Sequence, residues 1–120
     1  MSNVTPREII DLVAEEFGVL VIEMIGRWAG QNSAGSAGLQ ARDTAVYLIR
    51  RHTRTGPTEI GRLLAIPSAR GPIIAGLADN TLRAMRQPDM LFRIRRIEDR
   101  IDALHEARIA AQLELAGAGE

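Results

Sequence analysis

The chain has no cysteine and no lysine, and only one Trp, one Tyr and two Phe in 120 residues. Without cysteine there are no disulfides and no thiolate metal sites, which is compatible with a reducing cytosol, so a cytoplasmic location is expected. The two histidines, His52 and His105, fall in no Ser/His/Asp or metal-ligand spacing, and the acid pairs Glu15-Glu16 and Glu98-Asp99 sit where solvated helix faces carry charge. The chain therefore reads as a non-enzyme with no cofactor and no metal. No stretch alternates with period two through β-branched residues, so a sheet is not expected. No apolar run approaches the ~20 residues of a membrane span, and the first residues lack a basic start followed by an apolar run, so neither a membrane segment nor a signal peptide is read.

What is abundant is aliphatic. The sequence is 46% hydrophobic with 3% aromatic residues, the signature of helices packed through Ala, Leu and Ile. Its length fits one domain over residues 1–120. The net charge is zero but uneven: residues 39–72 carry six Arg against Asp43 and Glu59, a net +4, while residues 1–38 carry two Arg against five acids, a net −3. A dedicated DNA-binding domain is ordinarily basic, because phosphate neutralisation supplies most of the affinity.

The positive stretch is also the best organised. Ala45, Leu48 and Ile49 share one stripe of a helix over about 39–52, with Arg42 and then Arg50, Arg51 and Arg54 assigned to its polar side. Gly56-Pro57 ends that element and opens a short one with Ile60, Leu63 and Leu64 apolar. Ile66-Pro67-Ser68 makes a second break, and Pro72 fits only the first turn of a helix over about 70–85. Two short-linked helices of this kind, roughly 57–65 and 70–85, form a helix-turn-helix. Before them, Thr5-Pro6-Arg7-Glu8 reads as a capped helix start, Gly18 as its stop, and 21–27 as a short helix with Ile22 and either Ile25 or Met24 inward. Trp28 reads as a core or boundary residue. Residues 29–38 read as a flexible loop.

A long final helix is expected over about 88–115, followed by a frayed tail at 116–120. Met90, Ile94, Ile97, Ile101 and Leu104 hold a heptad seam that Arg108 interrupts, so this helix either packs on its own domain or pairs with a second copy. The whole is all-α with about six helices. Its expected core includes Ile10, Val13, Phe17, Ile25, Ala45, Leu48, Ile60, Leu64, Ile74 and Leu77.

The residues Ala41-Arg42-Asp43-Thr44-Ala45-Val46-Tyr47-Leu48-Ile49-Arg50 with Thr53, then Glu59-Ile60-Gly61-Arg62, resemble the C-terminal (domain IV) DNA-binding domain of the replication initiator DnaA. Val13-Ala14 with Phe17-Gly18, and Gln87-Pro88-Asp89 with Phe92, match the same domain more weakly, so the resemblance runs over about 5–105. With no ATPase module, it is to the small stand-alone DnaA-related proteins, the HdaB type among them. The resemblance implies phosphate contacts at Arg42, Arg50 and Thr58, with Arg54 nearby, and places Ser68 and Arg70 at the start of the recognition helix. The family's basic loop falls on the uncharged Asn32 to Ala37, and its base-reading side chains fall on Ala65 to Pro72, where none of them is present. Phosphate contacts position a protein while base contacts specify the sequence, so what is implied is weakened or altered DNA binding.

Two readings follow. In one the chain is a helix-turn-helix regulator of replication initiation that contacts double-stranded DNA. In the other it has lost box recognition and works through a protein partner, DnaA or one of its regulators, or as a dimer through its final helix.

Overall fold

The computed structural model describes residues 3–26 and 36–118. Over these residues the protein is all-helical: five α-helices and one 3-10 turn, with no strand. The helices are α1 (Pro6–Phe17), α2 (Ala37–His52), α3 (Pro57–Leu63), α4 (Gly71–Ala84) and α5 (Pro88–Ala118), with the 3-10 turn (Val21–Glu23) between α1 and α2.

Local chemistry sets most boundaries. Thr5 caps α1 in a capping box: its hydroxyl accepts the Glu8 N–H at 3.2 Å and the Glu8 carboxylate accepts the Thr5 N–H at 3.0 Å. Pro6 stands in the first turn, and Gly18 ends α1 in the left-handed region at φ 66°. Gly56 and Arg70 precede α3 and α4, each of which has a proline in its first turn. The α2 start differs from expectation. Ser36 caps it, its Oγ accepting the Leu39 N–H at 3.3 Å, so residues 36–38 belong to a helix and its cap rather than to a loop. Residues 29–35 of the expected loop and Trp28 lie outside the described residues.

α2 is the central strut. α1 packs on it from one side and α4 from another, and α3 contacts α4 across the turn. Between Gly38 and Ile49 nearly every α2 residue is buried, Tyr47 and Gln40 being the part-buried exceptions. The core joins Ile10, Val13 and Phe17 of α1 to Ala45, Leu48 and Ile49 of α2, Ile60, Leu64, Ile74 and Leu77 of the motif, and Ile94, Ile97 and Ile101 of α5. The expected seam of α5 is thus spent inside the domain. After α1 the inward residue is Met24, fully buried, while Ile25 is half-buried and Ile22 is 71% exposed. Met24 is thus the inward one of the two alternatives, whereas Ile22 is outward, because a 3-10 turn has three residues per turn and does not follow the α-helical spacing expected there.

α5 has 31 residues, about 46 Å of helix, and accounts for the long axis of a molecule measuring 55 × 31 × 23 Å. It runs antiparallel to α1 through an ion-pair ladder of Glu8 with Arg108, Glu15 with Arg100 at 2.5 Å and Glu16 with Arg96 at 3.2 Å. Arg93 lies over the Phe17 ring, 4.8 Å from its centroid. No helix among the described residues is long and apolar enough to cross a membrane.

Candidate nucleic-acid interface

The six residues assigned to DNA contact separate into two groups. Arg42 stands alone, because it is fully buried. Its Nε donates to Asp43 Oδ1 at 2.8 Å and its Nη2 lies 2.7 Å from the same oxygen. Asp43 Oδ2 accepts from Asn80 Nδ2 of α4 at 3.1 Å, and Asn80 Oδ1 accepts in turn from Arg83. This corrects the expectation that Arg42 is a surface phosphate contact: α2 is enclosed by α1 and α4, and position 42 falls on an enclosed side. Arg42 belongs to a polar strut that fixes α4 against α2.

The other five are at the surface. Arg50 is exposed in the last turn of α2, and Arg54 is exposed in the turn that follows. That turn is held by threonines: Thr53 Oγ1 donates to the Ile49 carbonyl at 2.6 Å, lies 2.8 Å from Thr55 Oγ1, and accepts the Thr55 N–H at 3.3 Å. Thr58 is exposed in the first turn of α3. Ser68 and Arg70 are exposed in the turn between α3 and α4, where Ala65 and Ser68 take φ of 48° and 55°. Gly61 lets that turn close on α3, since a Cβ there would run into the Ala69 methyl.

Arg50, Arg54 and Arg70 form no ion pair with any described residue. Their neighbours differ. Arg51 Nε and His52 Nε2 both meet Glu98 Oε2 of α5, at 3.0 and 2.7 Å, and Arg62 meets Glu59 at 2.9 Å. The open cations of the motif thus lie at the end of α2, in the turn after it, and in the turn that leads into α4; Arg7, Arg86 and Arg95 are exposed without an ion pair elsewhere on the described surface.

The outward side of α4 is poor in side chains that read bases. Gly71, Pro72, Gly76, Asp79 and Leu82 are exposed there, with Ala75 half-buried. The one base-pairing side chain exposed on this helix is Arg83, in its last turn and bonded to Asn80; the first two turns, which lead a recognition helix, present none, and Asp79 opposes phosphate. Beside it runs an open groove of about 300 Å³ between α2 and α4, lined by Tyr47, Arg50, Arg51, Ala78, Asp79 and Leu82. Sequence reasoning misses this groove. Its one signal is Leu82, an aliphatic residue one position past the inward stripe of Ile74, Leu77, Ala78 and Thr81.

Among the described residues no group of three His, Asp or Glu side chains could hold a metal ion. No family model matches the chain, and no curated protein matches it.

Proposed function

We propose that this protein is a DnaA-related helix-turn-helix module that holds double-stranded DNA by its phosphates, without reading bases, and so influences the initiation of chromosomal replication. The observation that carries the DNA contact is the set of open arginines, Arg50, Arg54 and Arg70, around the motif. Arg51, Arg62, Arg96, Arg100 and Arg108 are each joined to a carboxylate, while Arg7, Arg86 and Arg95 are open away from the motif, so the support lies in the position of the three and not in their being open. The role in replication rests on the resemblance of residues 41–62 to the initiator's DNA-binding domain. Affinity is expected in the non-specific range, ~10⁻⁴–10⁻⁶ M at physiological salt. Fluorescence anisotropy with random duplex across a salt series tests it. Arg54→Ala and Arg70→Ala each lower the salt slope by about one and weaken all sequences alike. Absence of binding at low salt overturns the reading.

A second reading, a module that acts on DnaA or one of its regulators through protein contact, is favoured by the burial of Arg42 and by Asp79 and small residues on the outward side of α4. A pull-down with and without nuclease distinguishes the two, because a DNA-bridged partner is lost on nuclease treatment. Deleting the gene and counting origins per cell tests the replication role common to both.

A further inference from the structure

Besides Leu20 and Ile22 at the 3-10 turn, two parts of the surface carry aliphatic side chains that no described residue covers. One is the α2–α4 groove, where Leu82 is 51% exposed beside the half-buried Tyr47 ring; Leu82 is the one large hydrophobic residue exposed on α2, α3 or α4. The other is the end of α5. Past Arg108, where Glu8 holds the helix, Ile109 and Leu113 are exposed four residues apart on one stripe, and Leu113 is 68% exposed.

We infer that these are two halves of one interface, in which the last turns of α5 from one copy lie in the α2–α4 groove of a second copy. Leu113 packs on Leu82 and Tyr47, and Glu114, on the flank of the same stripe, pairs with Arg50.

The charges fit. The groove has Arg50, Arg51 and Asp79 on its rim, and Arg51 is already engaged by Glu98, which leaves Arg50 as the open cation. Residues 109–118 carry a single charged side chain, Glu114, and it joins no ion pair among the described residues. The helix end therefore sets one open anion beside an exposed leucine, and the groove sets one open cation beside another, with the exposed Asp79 on the same rim requiring Glu114 to approach from the Arg50 side.

The occupant is a second copy because α5 cannot reach its own groove. The bond from Arg51 to Glu98 fixes the groove at the level of Glu98 along α5. Glu114 lies ~24 Å further along the same unbroken helix, at the usual 1.5 Å rise per residue. A two-fold arrangement lets each copy give one helix end and receive one, so the assembly closes as a dimer. One helix end in one groove falls short of the ~800 Å² per partner of a stable complex. Reciprocal exchange doubles the contact and still predicts a weak dimer, with Kd about 10–100 µM.

Sedimentation velocity of the whole chain without DNA, from about 1 to 300 µM, tests this and is independent of the DNA reading. The expected result is a concentration-dependent dimer. Leu82→Asp and Leu113→Asp each weaken it more than about tenfold, as do Arg50→Glu and Glu114→Arg singly, while the double charge exchange restores Kd to within about threefold. All four positions are exposed, and unchanged thermal melts of the variants show that folding is intact. A monomer throughout the range, or a dimer indifferent to Leu82→Asp, overturns the proposal. The second outcome would mean that the α5 ends pair with each other. Failure of the double exchange to restore the dimer overturns the contact between Arg50 and Glu114.

Discussion

Glu8 and Arg108 are a hundred residues apart in the chain and meet through paired hydrogen bonds across α1 and α5, one of them 2.8 Å from Nη1 to Oε1. Arg108 Nη1 also donates to the Asn3 carbonyl at 2.5 Å, and the Asn3 N–H donates to His105 Nδ1 at 2.8 Å. The hydrogen bonds from Arg108 and then the Thr5 N–H hold the Glu8 carboxyl down from 4.5 to about 2. In the unfolded chain Glu8 takes up its proton near pH 4.5, whereas the folded chain resists until about pH 2. The unfolded state therefore binds more protons between these values, and stability falls as pH is lowered through that window. Thermal melts from pH 6 to pH 2 should show a loss of Tm below about pH 4.5 that is smaller in Glu8→Gln. Equal slopes in the two proteins would remove Glu8 as the cause.

The burial of Arg42 separates its mutant phenotype from that of the surface arginines. Arg42→Ala removes one partner of the buried Arg42–Asp43 pair, a change that costs about 3–5 kcal/mol. Arg54→Ala and Arg70→Ala touch no ion pair and should change stability by less than about 0.5 kcal/mol. Urea titration of the three variants checks this. If Arg42→Ala unfolds at the same urea concentration as the parent, Arg42 faces solvent.

Two glycines should respond oppositely to the same substitution. At Gly61 a Cβ meets the Ala69 methyl, so Gly61→Ala must push the α3–α4 turn outward, at a cost of about 1–3 kcal/mol. Gly76 is in the middle of α4, where an added Cβ would have nothing within 4 Å, and Gly76→Ala should stabilise by about 0.5–1 kcal/mol. Calorimetric melts that move in the same direction for both would contradict the packing described.

Leu48 is fully buried in α2, the helix on which both α1 and α4 pack. Leu48→Ala should cost ~2–5 kcal/mol, the range for a buried leucine, measured by denaturant unfolding. A loss below about 1 kcal/mol would mean that α2 is rotated and turns Leu48 out of the core.

The parts of the fold legible in the sequence are those written in local chemistry. Thr5, Pro6 and Glu8 spell a capping box, and Gly18, Gly56-Pro57 and Pro72 mark boundaries within one or two residues of those observed. These signals depend on backbone geometry that neighbours in sequence decide. The environment of Arg42 depends on what α1 and α4 bring to α2, and helical periodicity loses its meaning on a strut covered from several sides. Periodicity assigns position 42 to a polar face that α2 has only at its ends. Ser36 gives a weak cap signal, because it follows a run of small residues and has no acid three positions on. The groove at Tyr47 and Leu82 lies between two helices whose crossing no local pattern encodes.

The ladder between α1 and α5 has a consequence for how the chain is born. Translation delivers Glu8 long before Arg108, and at about 5–20 residues per second the intervening hundred residues take roughly 5–20 s. α1 has α2 to pack against well before then, so its apolar face can be sheltered early while its carboxylates wait in water. α5 leaves the ribosome after α1 to α4 and is the helix that latches α1, and a nascent chain stalled short of residue 96 would have none of the three rungs.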